Sequence, residues 1–360
     1  MSDDLIAPIR LIRSPSIGPV TYRQLIARFG SAQAALEAIP DLARRGGGSP
    51  PKLYSKDDAE RERKKIEKLG ARYLVLGQGL YPSLLAELDD APPLLIAKGD
   101  IGLLDRSAIA MVGARNASAA ACRFARSLAH DLGQEGLVVV SGLARGIDSA
   151  AHDGALESGT IGIVAGGVDV FYPPENEHRQ KALFERGLVL AEMPPGTEPR
   201  ARHFPYRNRI IAGLSLGAIV VEAAPRSGSL ITARLAAEAG RDVMAVPGSP
   251  LDPRARGCNQ LIRDGATLVQ NAADVIEAVQ PMKPRVASPE AGYQPRPDQY
   301  DGEGVEKVES LLGPSPVPVD EIIRLSGAPS GAVQMALLEL DLAGRLDRHA
   351  GGRVSLRPAP

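Results

Sequence analysis

The sequence predicts an α/β protein centred on a doubly wound, mostly parallel sheet. Between residues 71 and 280, short runs rich in Ile and Val alternate with Ala-rich helical segments, and Gly-rich turns separate them. The runs are continuously apolar, as strands buried on both faces are. Residues 1–70 and 301–360 lack this alternation, and Pro281, Pro284, Pro289, Pro295 and Pro297 crowd the stretch before the second of them.

Residues 1–70 read as a helical domain. Ile9, Leu11 and Ile12, then Leu25, Ile26 and Phe29, then Ala35, Leu36 and Ile39 recur at helical spacing. Gly18-Pro19 and Gly30-Ser31 punctuate them, Gly46 to Pro51 breaks the pattern, and a charged helix runs from Lys56 to Leu69. This segment holds 13 Lys+Arg against 9 Asp+Glu. The Ile17-Gly18-Pro19 turn is similar to a helix-hairpin-helix or SAM-like module, which offers backbone N–H groups to phosphate. A plain helical packing module is the simpler account of the same residues.

Residues 71–280 form an extended Rossmann-like domain. Its predicted strands are Ala108–Val112, Leu137–Val140, Ile161–Ala165, Leu188–Glu192, Ala218–Glu222 and Val243–Val246. Its predicted helices include Ala117–Leu132, Ser149–Glu157, Arg207–Leu214 and Leu230–Ala239. Ligands of such sheets sit at the carboxyl ends of the strands. Residues 281–300 read as a Pro-rich linker. Residues 301–360 give three helices, Val305–Leu312, Val319–Leu325 and Gly331–Ala343. A hairpin follows, Arg345–Arg348 and Arg353–Leu356 around Gly351-Gly352, which makes a winged helix. That segment carries 6 Lys+Arg against 9 Asp+Glu, a balance that favours protein contact over duplex binding.

The 360-residue chain has a net charge of −1, which excludes a protein that binds nucleic acid through bulk charge. Aromatics are 4% with no Trp, so no broad stacking surface exists. Cys122 and Cys258 are too few for a disulfide framework and read as reduced thiols. The acidic Met1-Ser2-Asp3-Asp4 start is unlike a signal peptide, and no run of about 18 apolar residues occurs, so a cytoplasmic protein without membrane contact is expected.

Four loops at predicted strand ends carry candidate chemistry. In Val112–Ser118, Gly113 permits a tight turn, the following helix offers free N–H groups, and Arg115 supplies a planar phosphate partner. In Ser141–Ser149, Ser141, Gly142 and Gly146 let the backbone approach a ligand, while Asp148 is placed to cap the next helix. Arg145 is either a solvated arginine or a phosphate ligand. The third loop groups Arg200, Arg202, His203, Arg207 and Arg209 around Phe204 and Tyr206, with no acid between Pro199 and Glu222. Guanidinium groups beside aromatic faces suit single-stranded nucleic acid. The alternative for Arg207 or Arg209 is a buried carboxylate partner, with Phe204 in the core. In the fourth loop, Ser227 or Ser229 can cap a helix, leaving the N–H groups of Gly228 and Ser229 for phosphate.

Several chemistries lack their residues. There is no P-loop or dinucleotide fingerprint and no nucleophile elbow. The five histidines form no zinc pair and the acids form no metal cluster. No catalytic residue, metal or cofactor is expected.

Read in order, the loops resemble one family. Tyr81-Pro82 through Pro92-Pro93-Leu94-Leu95 and Gly99, Val112-Gly113-Ala114-Arg115, Ser141 to Asp148, Phe204 to Ile211, and Ser227 to Ala233 match the motifs of DprA/Smf, the DNA-processing proteins of natural transformation. The resemblance spans about Ile9 to Leu356. It implies a non-catalytic protein that binds and protects incoming single-stranded DNA and helps load RecA onto it, as a homodimer through the Rossmann-like domain. Ala114 stands where the family often has Ser or Thr. The candidate DNA-binding residues are Gly113, Arg115, Ser141, Gly142, Arg145, Gly146, Arg202, Phe204, Arg207, Asn208, Arg209, Ser227, Gly228, Ser229 and Thr232. Two other classes fit less of the pattern. A nucleotide phosphoribohydrolase needs a catalytic Glu that the fourth loop lacks, and a winged-helix regulator needs a duplex-binding surface.

Overall fold

The computed structural model describes residues 5–279, 304–349 and 351–357; the expected Pro-rich linker at 281–300 lies outside them. The chain divides into two compact units, Met1–Glu60 with Val286–Pro360, and Arg61–Arg285.

Three helices open the first unit: α1 (Ile6–Arg13), α2 (Pro19–Phe29) and α3 (Ala32–Arg45). Pro19 suits the first position of α2 because no helical partner awaits its missing N–H. Gly30 ends α2 in the left-handed region, at φ 74°, and the Ser31 side chain accepts the Ala34 N–H to start α3. The charged helix α4 (Lys56–Lys68) leads into the second unit, where its Ile66 packs among Ile96 and Val189 of the sheet.

The second unit continues through β1 (Arg72–Val75), α5 (Ser83–Ala86), β2 (Leu94–Gly99), β3 (Ala108–Gly113), α6 (Ala119–Gln134), β4 (Val138–Ser141) and α7 (Ile147–Ala155). Next come β5 (Thr160–Val164), α8 (Glu177–Arg186), β6 (Leu188–Ala191), α9 (His203–Gly213) and β7 (Gly217–Val221). It closes with α10 (Ser229–Glu238), β8 (Asp242–Ala245), α11 (Arg256–Arg263), β9 (Thr267–Leu268) and α12 (Ala272–Val279).

The nine strands lie in the order β1-β2-β6-β5-β4-β3-β7-β8-β9. From β6 to β9 all neighbours are parallel, while β1 and β2 extend one edge antiparallel. The six strands expected from sequence form the centre. Of the added strands, β1 and β9 are short and partly exposed and lack a continuous apolar run, whereas β2 has one, Leu94–Ala97, directly after Pro92-Pro93. Alternate residues of one strand serve opposite cores: Ala110 and Val112 of β3 face one cluster, Ile109 and Met111 the other. Both faces are therefore covered, which explains the unbroken apolar runs.

The chain then returns to the first unit with α13 (Gly304–Ser310), β10 (Val317–Pro318), α14 (Val319–Ser326), α15 (Ser330–Leu342), β11 (Leu346–His349) and β12 (Arg353–Leu356). The strands form a sheet in the order β10-β12-β11, completing a winged helix. Its own core gathers Val308, Ile322, Val333, Leu337, Leu340 and Val354. A second cluster joins Leu11, Leu25, Ile39 and Leu42 to Met335, Leu338 and Leu342 of α15.

Candidate functional site

The sheet reverses its winding between β3 and β7. After β3 the chain lays down β4, β5 and β6 on one side, then crosses back to place β7 on the other. Such a switch point opens a crevice beyond the carboxyl ends of the two strands. Backbone bonds join the loops there: Ala114 N–H donates to the Glu222 carbonyl (2.7 Å), and Ile147 N–H to the Ala114 carbonyl (3.2 Å).

Two glycines are required by this packing. A Cβ on Gly113 would lie 1.9 Å from the Val221 carbonyl oxygen. Gly146 has φ 76°, and its Cβ would lie 2.2 Å from the Ala114 oxygen. Gly228 differs: it is exposed, and a Cβ there would meet nothing within 4 Å. Its backbone is open to a ligand.

Glu222 clips the first loop. Its backbone is held at φ 54°, a conformation unfavourable for a side-chain-bearing residue. Its carboxylate accepts the Ser118 N–H (2.8 Å) and the Ser118 hydroxyl (2.6 Å), and Ser118 caps α6 by accepting the Ala121 N–H. The expectation of free donors at the start of α6 is thus narrowed, because chain oxygens take the Ser118 and Ala121 N–H groups.

The first turns of α9 form one wall. Phe204 is half-buried, with the Arg115 guanidinium 5.1 Å and the Arg207 guanidinium 5.9 Å from its ring centre. The Tyr172 ring is tilted against it at 6.0 Å. Arg207 is buried beneath the second loop, where a Cβ on Gly142 would strike its Nη1 at 1.5 Å. Asp148 Oδ2 lies 3.9 Å from that nitrogen. Burial raises the Asp148 pKa and the Arg207 charge opposes this; burial likewise lowers that of Arg207, against the pull of Asp148. Asp148 does not cap α7, which starts from Gly146; its carboxylate instead accepts the Ala144 N–H (3.3 Å) and braces the loop. Gly228 holds the N-cap position of α10, but the Ser227 hydroxyl accepts the Ser229 N–H (3.4 Å) and bonds the Ser229 hydroxyl (2.7 Å), so the Ser229 N–H is not free as expected.

Two adjoining crevices result. The larger, about 530 Å³, brings together Gly113, Arg115, Phe204, Arg207, Asn208, Ser227, Gly228, Ser229 and Thr232. The smaller, about 270 Å³, adds Gly142 and Arg145 and shares Arg115, Phe204 and Arg207. Arg145 is exposed, with Glu175 at 3.9 Å.

Four expected residues lie elsewhere. Ser141 is fully buried and donates its hydroxyl to the Met111 carbonyl (2.6 Å). Gly146 supports the loop from behind. Arg209 is buried against Glu192 (2.7 Å) and Asp90 (3.4 Å). Arg202 is exposed but lines neither crevice; it leans on His203, whose pKa burial and the charges of Arg202 and Arg200 lower.

The structure also adds Arg226, Arg254 and Asn116 to the larger wall and Tyr172 to the smaller. Arg226 sits in the fourth loop, whose backbone N–H groups suggest phosphate binding. Arg254 arrives from beyond β8 and carries no local signal; Asp252 holds it in place (2.8 Å).

The family model described as DNA recombination-mediator protein A matches residues 72–280. The chain belongs to the DprA/Smf family. Models of the DprA-like N-terminal HHH domain and the DprA winged helix domain match residues 2–64 and 294–352. The DNA processing protein DprA of Streptococcus pneumoniae is 50% identical over 198 residues, 54% of this chain and 70% of that protein. Protein Smf of Escherichia coli is 38% identical over 284 residues, 78% and 76% of the two chains. The crystal structure of the S. pneumoniae DprA superposes with a TM-score of 0.65 at 34% identity, covering 77% of this chain and 98% of that one. A Helicobacter pylori DprA, solved for its single-stranded DNA binding mode, has a TM-score of 0.53 at 30% identity over 57% of this chain and 94% of its own. These relatives place the DprA/Smf fold on the Rossmann-like sheet, with a helical domain before it and a winged helix after it.

Among the described residues, no group of three or more His, Cys, Asp or Glu could hold a metal ion. No described helix is long and apolar enough to cross a membrane. Cys122 and Cys258 are free thiols; burial pushes that of Cys258 up to about 11.

Proposed function

We propose that the switch-point crevice binds single-stranded DNA. One arrangement carries this reading: the Arg115 guanidinium lies 5.1 Å from the Phe204 ring centre, and Arg226 and Arg254 line the same groove. Phosphates pair with the guanidinium groups and with backbone N–H groups near Gly228, while a base stacks against Phe204 or Tyr172. Phosphates and π-faces recur in every sequence, so recognition is sequence-tolerant. In this reading residues 71–280 are the DNA-binding domain, between a helical domain at 1–70 and a winged helix at 301–360.

The family supports the wider role. The protein protects incoming strands and helps load RecA during transformation and recombination, in the cytoplasm, as a homodimer through the sheet domain. No bond is made or broken. A phosphoribohydrolase would need an unengaged carboxylate in the crevice, but Asp148, which lines the larger one, is set against Arg207, Glu175, which lines the smaller, lies 3.9 Å from Arg145, and Glu222 is bonded to Ser118.

Band-shift titration of one sequence as single strand and as duplex tests the proposal. The single strand is expected to bind at least tenfold more tightly; preference for the duplex would overturn the reading.

A further inference from the structure

We propose that α15, the third helix of the winged helix, is a protein-docking helix whose partner is the chain's own α1–α3 bundle, and that it does not read duplex DNA while so engaged. In helix-turn-helix folds the corresponding helix enters the major groove and must leave one face open. Here α15 is buried on two sides. Val333, Leu337 and Leu340 enter the winged-helix core, while Met335, Leu338 and Leu342 enter the cluster of Leu25, Ile39 and Leu42.

Polar groups fix the register of this contact. Thr21 Oγ1 donates to Asp341 Oδ2 (2.9 Å), and Gln24 Nε2 donates to Gln334 Oε1 (3.1 Å). Two arginines beside this contact are engaged within the unit. Arg348 donates to Asp341 (2.9 Å) and Gln24 (3.3 Å), and Arg345 donates to Glu309 (3.1 Å) and the Gly46 carbonyl (3.3 Å). Charge follows the same division: the bundle segment is net basic, while residues 301–360 are net acidic.

The Gly46-Gly47-Gly48 tract explains the closeness. Gly46 has φ −72°, open to any residue, yet its Cβ would lie 2.2 Å from the Glu339 carbonyl oxygen. A Cβ on Gly48 would lie 2.8 Å from the Ala343 Cα. Proximity to the end of α15, not backbone strain, requires glycine at both positions.

Hydrogen exchange on the full-length protein tests this. The double variant Gly46→Val/Gly48→Val should speed exchange in residues 335–342 and 22–42 together by more than tenfold, with strand 108–112 and hairpin strand 353–356 unchanged. Unchanged exchange in α15 would overturn the proposal. So would slower exchange of wild-type α15 on adding a 20-base-pair duplex, which is expected to leave it unaltered. Should the double variant fail to fold, a cycle of Gln24→Ala and Gln334→Ala should give non-additive melting shifts; strictly additive shifts would overturn the docking.

Discussion

Arg207 and Arg209 lie two positions apart on α9, and both are withdrawn from water beside carboxylates. Arg226 lines the larger crevice with Arg207 and is exposed. Removing one member of a buried ion pair costs about 3–5 kcal/mol because the other charge is left uncompensated. Arg209→Ala should therefore lower the urea midpoint strongly, whereas Arg226→Ala should stay within about 0.5 kcal/mol of wild type and weaken single-strand binding. A stable Arg209→Ala protein would contradict the division of roles. The sequence placed five basic residues in one stretch but could not sort them. Helical rotation does that: at 3.6 residues per turn, positions two apart point about 200° apart, so Arg207 turns to the crevice and Arg209 to Glu192. Glu222 was legible only as the end of an apolar run, because its partner Ser118 is 104 positions away.

At the scale of elements, the loops after β3, β4 and β7 are held by glycines of two kinds. Gly142 makes room for the Arg207 guanidinium, and Gly113 for the β7 backbone. Gly228 meets nothing. Gly142→Ala should lower the melting temperature, since the buried guanidinium must shift, while Gly228→Ala should melt with wild type and alter only DNA affinity. Equal destabilisation by both, in a thermal melt, would contradict this assignment. The central strands were readable because burial on both faces makes their apolar runs continuous. β1 was not, since the edge position exposes Arg72 and half-exposes Tyr73; β2 has the apolar run, but it directly follows two prolines and pairs antiparallel outside the parallel alternation. The Gly-rich stretch at 46–48 read as a break, and its close packing against α15 was hidden because Glu339 and Ala343 are distant in sequence.

At the scale of the whole molecule, a net charge of −1 coexists with a crevice lined by Arg115, Arg207, Arg226 and Arg254 because acids elsewhere balance them. Burial of one histidine and bonding of one carboxylate set part of the response to acid. His152 is buried with its Nδ1 2.7 Å from the Thr160 hydroxyl, and burial holds its pKa at about 3. The unfolded chain protonates this ring near pH 6.5, so it binds the proton first and stability falls as pH drops from about 6.5 toward 3. Burial would raise the Asp169 pKa, but bonds from Lys65 and the Gly196 N–H outweigh it and lower the value, adding stability that is lost at still lower pH. Urea midpoints at pH 7.5 and 5.0 should show the fall, and His152→Gln should reduce it; an equal fall in both proteins would contradict the role of His152. The central claim is that a few arginines at the switch point hold phosphates. Its most direct test is the salt dependence of oligo-dT affinity for wild type and Arg115→Ala/Arg226→Ala. Each lost phosphate contact should flatten the log–log slope by about 0.7 on a single strand. The account predicts weaker binding with a slope flatter by about 1.4, while unchanged affinity and slope would contradict it.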